Sequence, residues 1–123
     1  MRVPILAALA LAAVASPGAA RNRDEIPVAT PDGEPRNCVP LRNLRESLVR
    51  SDRIIDFRIS GNRYYRVELP RACPGLNFER RFTYKTSLSQ LCAQDIITVL
   101  QQTSQMRGAS CGLAPFQPVT IAK

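Results

Sequence analysis

The chain holds 123 residues, 17 of them Lys or Arg against 10 Asp or Glu, and it contains no histidine. Without histidine the commonest general base and the usual zinc sites are lost, and neither a Ser-His-Asp nor a Cys-His arrangement can be assembled. The length suits one domain with a modest core, and the surplus of positive charge suits either solubility or an anionic partner.

Met1-Arg2 is a short basic start, residues 3–15 are all apolar or small, and Pro17-Gly18-Ala19-Ala20 supplies a small-residue processing region. This is the pattern of a signal peptide over residues 1–20, with cleavage expected after Ala20 and, as the alternative, after Ala15. The apolar run falls short of the roughly 20 residues a membrane helix needs, and no later segment approaches that length, so no membrane span is expected. The first cysteine is Cys38, well beyond the processing region, which argues against a lipid anchor. Residues 21–37 carry three prolines, mixed charges and few apolar side chains, so they are predicted to be a disordered leader. A single domain is predicted over 38–119, followed by a tail at 120–123.

Export to the periplasm or the exterior places Cys38, Cys73, Cys92 and Cys111 in an oxidising compartment. They read as two disulfides rather than as metal ligands or nucleophiles, because no CxxC spacing occurs among them. Four cysteines allow three connectivities. The reading adopted joins Cys73 with Cys92, pinning a Pro-Gly loop to a turn, and Cys38 with Cys111, tying the domain's start to its end.

Along the domain, Pro40 followed by Leu41, Leu44 and Leu48 fits a helix or a strand equally well. A hairpin is the clearest element. Ile55, Phe57 and Ile59 alternate with Asp56 and Arg58, and beyond Ser60-Gly61-Asn62-Arg63 the residues Tyr65, Val67 and Leu69 alternate with Arg66 and Glu68. A plain two-residue loop would pair Phe57 with Arg66 and split the apolar sets between faces. Pairing Phe57 with Val67 and Ile55 with Leu69 keeps one apolar face and needs an odd loop or a bulge; the odd loop is expected. Residues 70–75, with two prolines and a glycine, form a loop, and residues 78–84 read as a strand. Ser87 and Gln90 have capping-box spacing, which predicts a helical turn carrying Leu91 and Cys92. Leu88, Cys92, Ile96, Val99 and Thr103 sustain helical spacing to about Met106, whereas Asp95-Ile96-Ile97-Thr98-Val99-Leu100 suits a buried strand. Periodicity leaves this open.

Four motifs in series, Cys73-Pro74-Gly75-Leu76, Phe82-Thr83-Tyr84-Lys85-Thr86-Ser87, Leu91-Cys92 with Asp95-Ile96-Ile97-Thr98-Val99-Leu100, and Gly108-Ala109-Ser110-Cys111-Gly112-Leu113, carry a resemblance. The chain resembles a family of small exported proteobacterial proteins catalogued only as a domain of unknown function, and Ile55-Asp56-Phe57 and Arg63-Tyr64-Tyr65-Arg66 fit the same pattern. The resemblance covers about residues 38–116. It implies one exported domain with all four cysteines as family features and a strand near Ile96 turning into another near Cys111, and it carries over no catalytic or binding residue, none being known for the family. The chain departs from the family at Ala114, where glycine is expected, and at residues 101–105, where turn residues are expected. The fold expected is therefore mainly β: a small antiparallel sheet or a partly open five-stranded barrel, with one short helical turn and two disulfides. The alternative is α+β with a helix over 87–106.

Few residues invite chemistry. No glycine loop fits a phosphate. Glu68, Glu79 and Asp95 are candidate carboxylates for a histidine-free hydrolase, which needs two of them within about 10 Å. Asp56 and Glu68 are expected to face solvent beside Arg58 or Arg66, and Asp95 to accept backbone N–H groups at a turn. Arg58, Arg63, Tyr64 and Arg66 on the hairpin, with Arg80 and Arg81 beyond it, form a candidate patch for an anionic ligand, since arginine and tyrosine suit bidentate contacts and stacking. Nucleic acid is a poor partner for an exported chain. The expected function is a non-enzymatic accessory or binding module without a cofactor, contacting anionic envelope polymers. An inhibitor of a hydrolase acting through residues 70–76 comes second, and a carboxylate hydrolase third.

Overall fold

A computed structural model describes residues 25–86, 88–103 and 106–122. The expected signal peptide, its cleavage positions and Ser87 lie outside the described residues. The fold is mainly β, built from small antiparallel sheets that do not close into a barrel.

The alternating hairpin forms β4 (Ile54–Ser60) and β5 (Arg63–Glu68). They lie within a five-stranded antiparallel sheet that also contains β1 (Ala29–Pro31), β3 (Glu46–Val49) and β10 (Gln117–Ile121), in the order β1-β10-β5-β4-β3. The apolar face is preserved by a different device from the one expected. Gly61-Asn62 makes a two-residue turn, Gly61 taking φ 52°, and a bulge between Arg58 and Ser60 corrects the parity. Ile55 therefore faces Val67, and Phe57 faces Tyr65 rather than Val67. Leu69 has left the ladder: its N–H bonds the Arg53 carbonyl at 2.7 Å. The slip of two positions brings Tyr65 under the core, where its ring meets Phe116 edge-on at 6.2 Å.

Facing this sheet is a second one of β6 (Phe82–Tyr84), β8 (Ile96–Leu100) and β9 (Arg107–Gly112), in the order β6-β8-β9. A ribbon of β2 (Cys38–Pro40) and β7 (Gln90–Cys92) flanks them. The alternative helix over 87–106 is thus replaced by two strands. Ile97 and Val99 are buried while Ile96 and Thr98 are not, so period two wins over the helical spacing. Gln90, Leu91 and Cys92 lie in a strand, not in a capped turn. The helical turns occur elsewhere: a 3-10 turn at Leu41–Asn43, directly after Pro40, and α1 at Leu76–Glu79. Leu48 belongs to β3, and Phe78 sits on α1 instead of opening a strand.

The core joins the inner faces of both layers. Phe57 packs edge-on to Phe82 at 6.2 Å and tilted against Phe116 at 5.8 Å, with Ile55, Val67, Leu69, Leu76, Leu91, Ile97 and Val99 around them.

The disulfides are Cys38–Cys92 and Cys73–Cys111, not the pairing of Cys73 with Cys92 and Cys38 with Cys111 expected from the sequence. Strand register decides this. β2 and β7 run antiparallel with Cys38 directly opposite Cys92, their Cα atoms 4.0 Å apart. Cys73 is fully buried in the loop after β5, and its Cα lies 5.9 Å from that of Cys111 on β9. A lone two-stranded ribbon is marginal in water, so the cross-strand bond and the burial of Val39 and Leu91 hold β2 and β7 in place.

Order begins ahead of Cys38. The expected disordered leader contains β1, which pairs with the edge of β10, and Arg36, which exchanges two 2.8 Å backbone bonds with Phe116. A composition too polar to build a core can still add a strand to an existing sheet edge. At the other end β10 reaches Ile121, within the expected tail.

Candidate functional site

Asp56 is the first surprise among the polar residues. It lies on the face of β4 that alternation assigns to solvent, yet it is 0% exposed. Arg66 donates Nε to Oδ1 at 2.8 Å and Nη2 to Oδ2 at 3.0 Å, and Arg50 donates Nε to Oδ2 at 2.9 Å. Arg66 Nη2 also reaches the Pro27 carbonyl at 2.9 Å, so the segment before β1 is tied to this cluster. A buried carboxylate needs such partners, and here two arginines supply them. Arg66 is thereby committed to the fold and is not free for a ligand.

The remaining members of the arginine–tyrosine patch do not form one surface. Arg58 and Tyr64 pair across β4 and β5 near the hairpin turn, where Arg58 also approaches Glu46 at 3.8 Å. Arg63 starts β5 at the same end, on the face of Tyr65, beside a shallow pocket of about 190 Å³ lined by Arg36, Tyr65, Asp32 and Glu34 among others. Arg80 and Arg81 follow α1, which is held at the opposite end by Asp52: the Asn77 N–H bonds Asp52 Oδ1 at 2.8 Å. Six residues of β5 separate the two ends, roughly 17–20 Å at the usual rise per residue.

The three candidate carboxylates are also dispersed. Asp95 Oδ2 accepts the Cys92 N–H at 2.7 Å, closing the β7–β8 turn. Glu79 Oε2 accepts the Gln102 N–H at 2.9 Å, beyond the far end of β8. The length of β8 places Asp95 and Glu79 more than about 13 Å apart, outside the range of a glycosidase pair. Glu68 is exposed, 3.9 Å from Arg53. Each of the three is spent on a local contact.

A larger groove of about 430 Å³ lies on the second sheet and was not legible as a site in the sequence. Tyr84, Lys85, Ile96, Thr98 and Arg107 are among its walls, with Thr83, Gln94 and Asp95. Thr83 and Thr98 are register partners on β6 and β8, and Thr98 Oγ1 lies 3.0 Å from Ser110 Oγ on β9, so hydroxyls run across the outer face of the sheet. Two cations, Lys85 and Arg107, and one carboxylate, Asp95, are among the lining residues. Ile96 keeps 57% of its surface exposed within this polar setting. The arrangement offers donors, a partly exposed ring and excess positive charge on a shallow surface. It suits a polar, anionic, extended ligand better than a small apolar one. The signal that would have found it is β pairing of β6, β8 and β9, which aligns Thr83, Thr98 and Ser110 from three distant segments.

Among the described residues no group of three or more His, Cys, Asp or Glu comes together to hold a metal ion, and no helix is long and apolar enough to cross a membrane. Comparison of the chain with protein-family models, with curated proteins and with solved structures finds no match.

Proposed function

We propose that this chain is an exported binding module that contacts anionic envelope polymers without catalysing a reaction, and that the groove on β6, β8 and β9 is where it does so. The observation that carries this reading is the balance of charge in that groove. Lys85 and Arg107 are exposed and outnumber the one acid of the groove lining, Asp95, whose carboxylate also accepts the Cys92 N–H. The two disulfides suit an oxidising compartment. The hairpin end supports the reading less, because Asp32 and Glu34 stand beside Arg36 and Arg63 and Arg66 is bound to Asp56.

The inhibitor reading has weaker support. Residues 70–76 are drawn inward at Cys73 and Leu76, both fully buried, which leaves no extended stretch to enter an active site.

The test is chromatography on immobilised alginate, a polyuronate, against neutral dextran. The protein should be retained on alginate and released by salt, and Lys85→Ala with Arg107→Ala should abolish retention. Equal retention on both matrices, or retention indifferent to those two substitutions, rejects the reading.

A further inference from the structure

The end of the molecule that carries α1 presents an exposed aromatic side chain on a fixed support. Phe78 is 86% exposed, while Leu76, two positions earlier on the same turn, is fully buried. The support is tied from several sides. Cys73 is bonded to Cys111, the Cys73 N–H donates to the Asp52 carbonyl at 2.7 Å, and the Asn77 N–H donates to the Asp52 carboxylate at 2.8 Å. On the other flank Gln102 clasps Glu79 twice, through its N–H to the carboxylate at 2.9 Å and its side-chain amide to the carbonyl at 2.7 Å. Gln101 in turn donates its N–H to the Met106 carbonyl, and Met106 is itself 62% exposed. Two large apolar side chains thus protrude from one end, on α1 and on the β8–β9 connection it grips.

Exposed arginines, Arg71 and Arg81, bracket this tip in sequence, and Arg80 lies between Arg81 and α1. The acid of α1, Glu79, is engaged by Gln102. The tip is therefore apolar at its apex, with Arg71 and Arg81 exposed on the chain either side of it and outnumbering Glu79, the acid of α1.

We propose that this end is a docking surface for an anionic lipid bilayer, with Phe78 inserting at the headgroup–acyl boundary and Arg71 and Arg81 meeting lipid phosphates. An exposed aromatic side chain flanked in the chain by cations is the chemistry of interfacial adsorption, in which ring burial and attraction to anionic headgroups add together. A bilayer accepts such a projection without a matching cavity, and the rigid support means that little ordering opposes insertion. The surface is distinct from the polymer groove, and it stands or falls separately.

The experiment uses vesicles of equal parts phosphatidylglycerol and phosphatidylcholine, with phosphatidylcholine alone as the neutral control. The chain has no tryptophan, so Phe78→Trp introduces a single reporter at the apex. Its emission should shift to the blue on adding the anionic vesicles, and not on adding the neutral ones. In co-sedimentation, Phe78→Ser should weaken binding of the otherwise native chain about tenfold or more, from the loss of ring burial. Charge reversal at Arg71 and Arg81 should weaken it by about fivefold for each unit of charge changed, with the effect fading in high salt. Phe78→Ser should leave the melting temperature and the disulfide map unchanged, since the side chain supports nothing in the fold. Lys85→Ala with Arg107→Ala should leave vesicle binding in place, which separates this surface from the groove. Absence of a blue shift on anionic vesicles overturns the proposal. So does binding that responds to the arginines but not to Phe78, which would mark simple electrostatic adsorption. So too does failure to bind either vesicle while a protein receptor is captured through Phe78.

Discussion

Replacing Asp56 by Asn tests how this protein holds a charge inside a sheet. The substitution preserves shape but removes the negative charge that two guanidinium groups share. Three charge-assisted bonds are affected, two from Arg66 and one from Arg50. Removing one partner of a buried ion pair costs about 3–5 kcal/mol, because the surviving charges are left uncompensated. The arginines here keep some water, with side-chain exposures of 22% for Arg50 and 17% for Arg66, so the low end, about 3 kcal/mol, is expected. For a domain of this size that corresponds to a fall in Tm of roughly 12–24 °C, measured by thermal circular dichroism. Replacing the whole cluster, as Asp56→Leu with Arg50→Met and Arg66→Met, should recover most of the loss, since no stranded charge remains. A fall below about 4 °C for Asp56→Asn, near 1 kcal/mol on the same scale, would show that the cluster is effectively solvated and would refute the reasoning.

Other consequences can be checked in the same way. Arg66→Met should destabilise more than Arg50→Met, because Arg66 contributes two of the three bonds and also holds the Pro27 carbonyl; urea unfolding of the two variants side by side decides it. Replacing Cys38 and Cys92 together by Ser removes a closure spanning 54 residues and should cost about 4 kcal/mol in chain entropy, read as a lower urea midpoint. Gly75→Ala forces an L side chain to φ 82° and should cost about 1–2 kcal/mol although no atom blocks the added methyl, so an unchanged Tm would mean that the turn relaxes. Gly108→Val should cost more than Gly108→Ala, since even a Cβ at this position meets the Val99 side chain at 3.3 Å.

What the sequence disclosed follows from what local pattern can encode. The hairpin was legible because period two on both sides of Gly61-Asn62 is a local property. Its register was not, because the choice between an odd loop and a bulge rests on Tyr65 reaching Phe116, a contact across 51 positions of sequence that no window contains. The disulfide pairing failed for the same kind of reason: Cys38 meets Cys92 only because β2 lies beside β7. Asp56 departs from the expectation because alternation tells which face a side chain takes, not whether the face is covered, and Arg66, which bonds it, is itself held by Pro27 in a segment whose composition suggested disorder. The helical spacing near Ile96 was overruled by burial of Ile97 and Val99 against the first sheet. Of the candidate patch, Arg58, Arg63 and Tyr64 share the hairpin end but not one face of the sheet. The groove residues come from β6, β8 and β9 and their connections, and they share a surface only after the sheet has formed.

The order of the cysteines along the chain has a consequence for how the protein matures. Cys38–Cys92 and Cys73–Cys111 interleave, so each bond encloses one end of the other and neither joins neighbours in sequence. A chain that emerges into an oxidising space with its N-terminal end first exposes Cys38 and Cys73 together before Cys92 follows. A Cys38–Cys73 bond made at that stage would be non-native, and thiol–disulfide exchange would have to break it before β2 could reach β7. Oxidative refolding of the reduced chain should therefore give more of the native pairs with a disulfide isomerase present than with an oxidant alone.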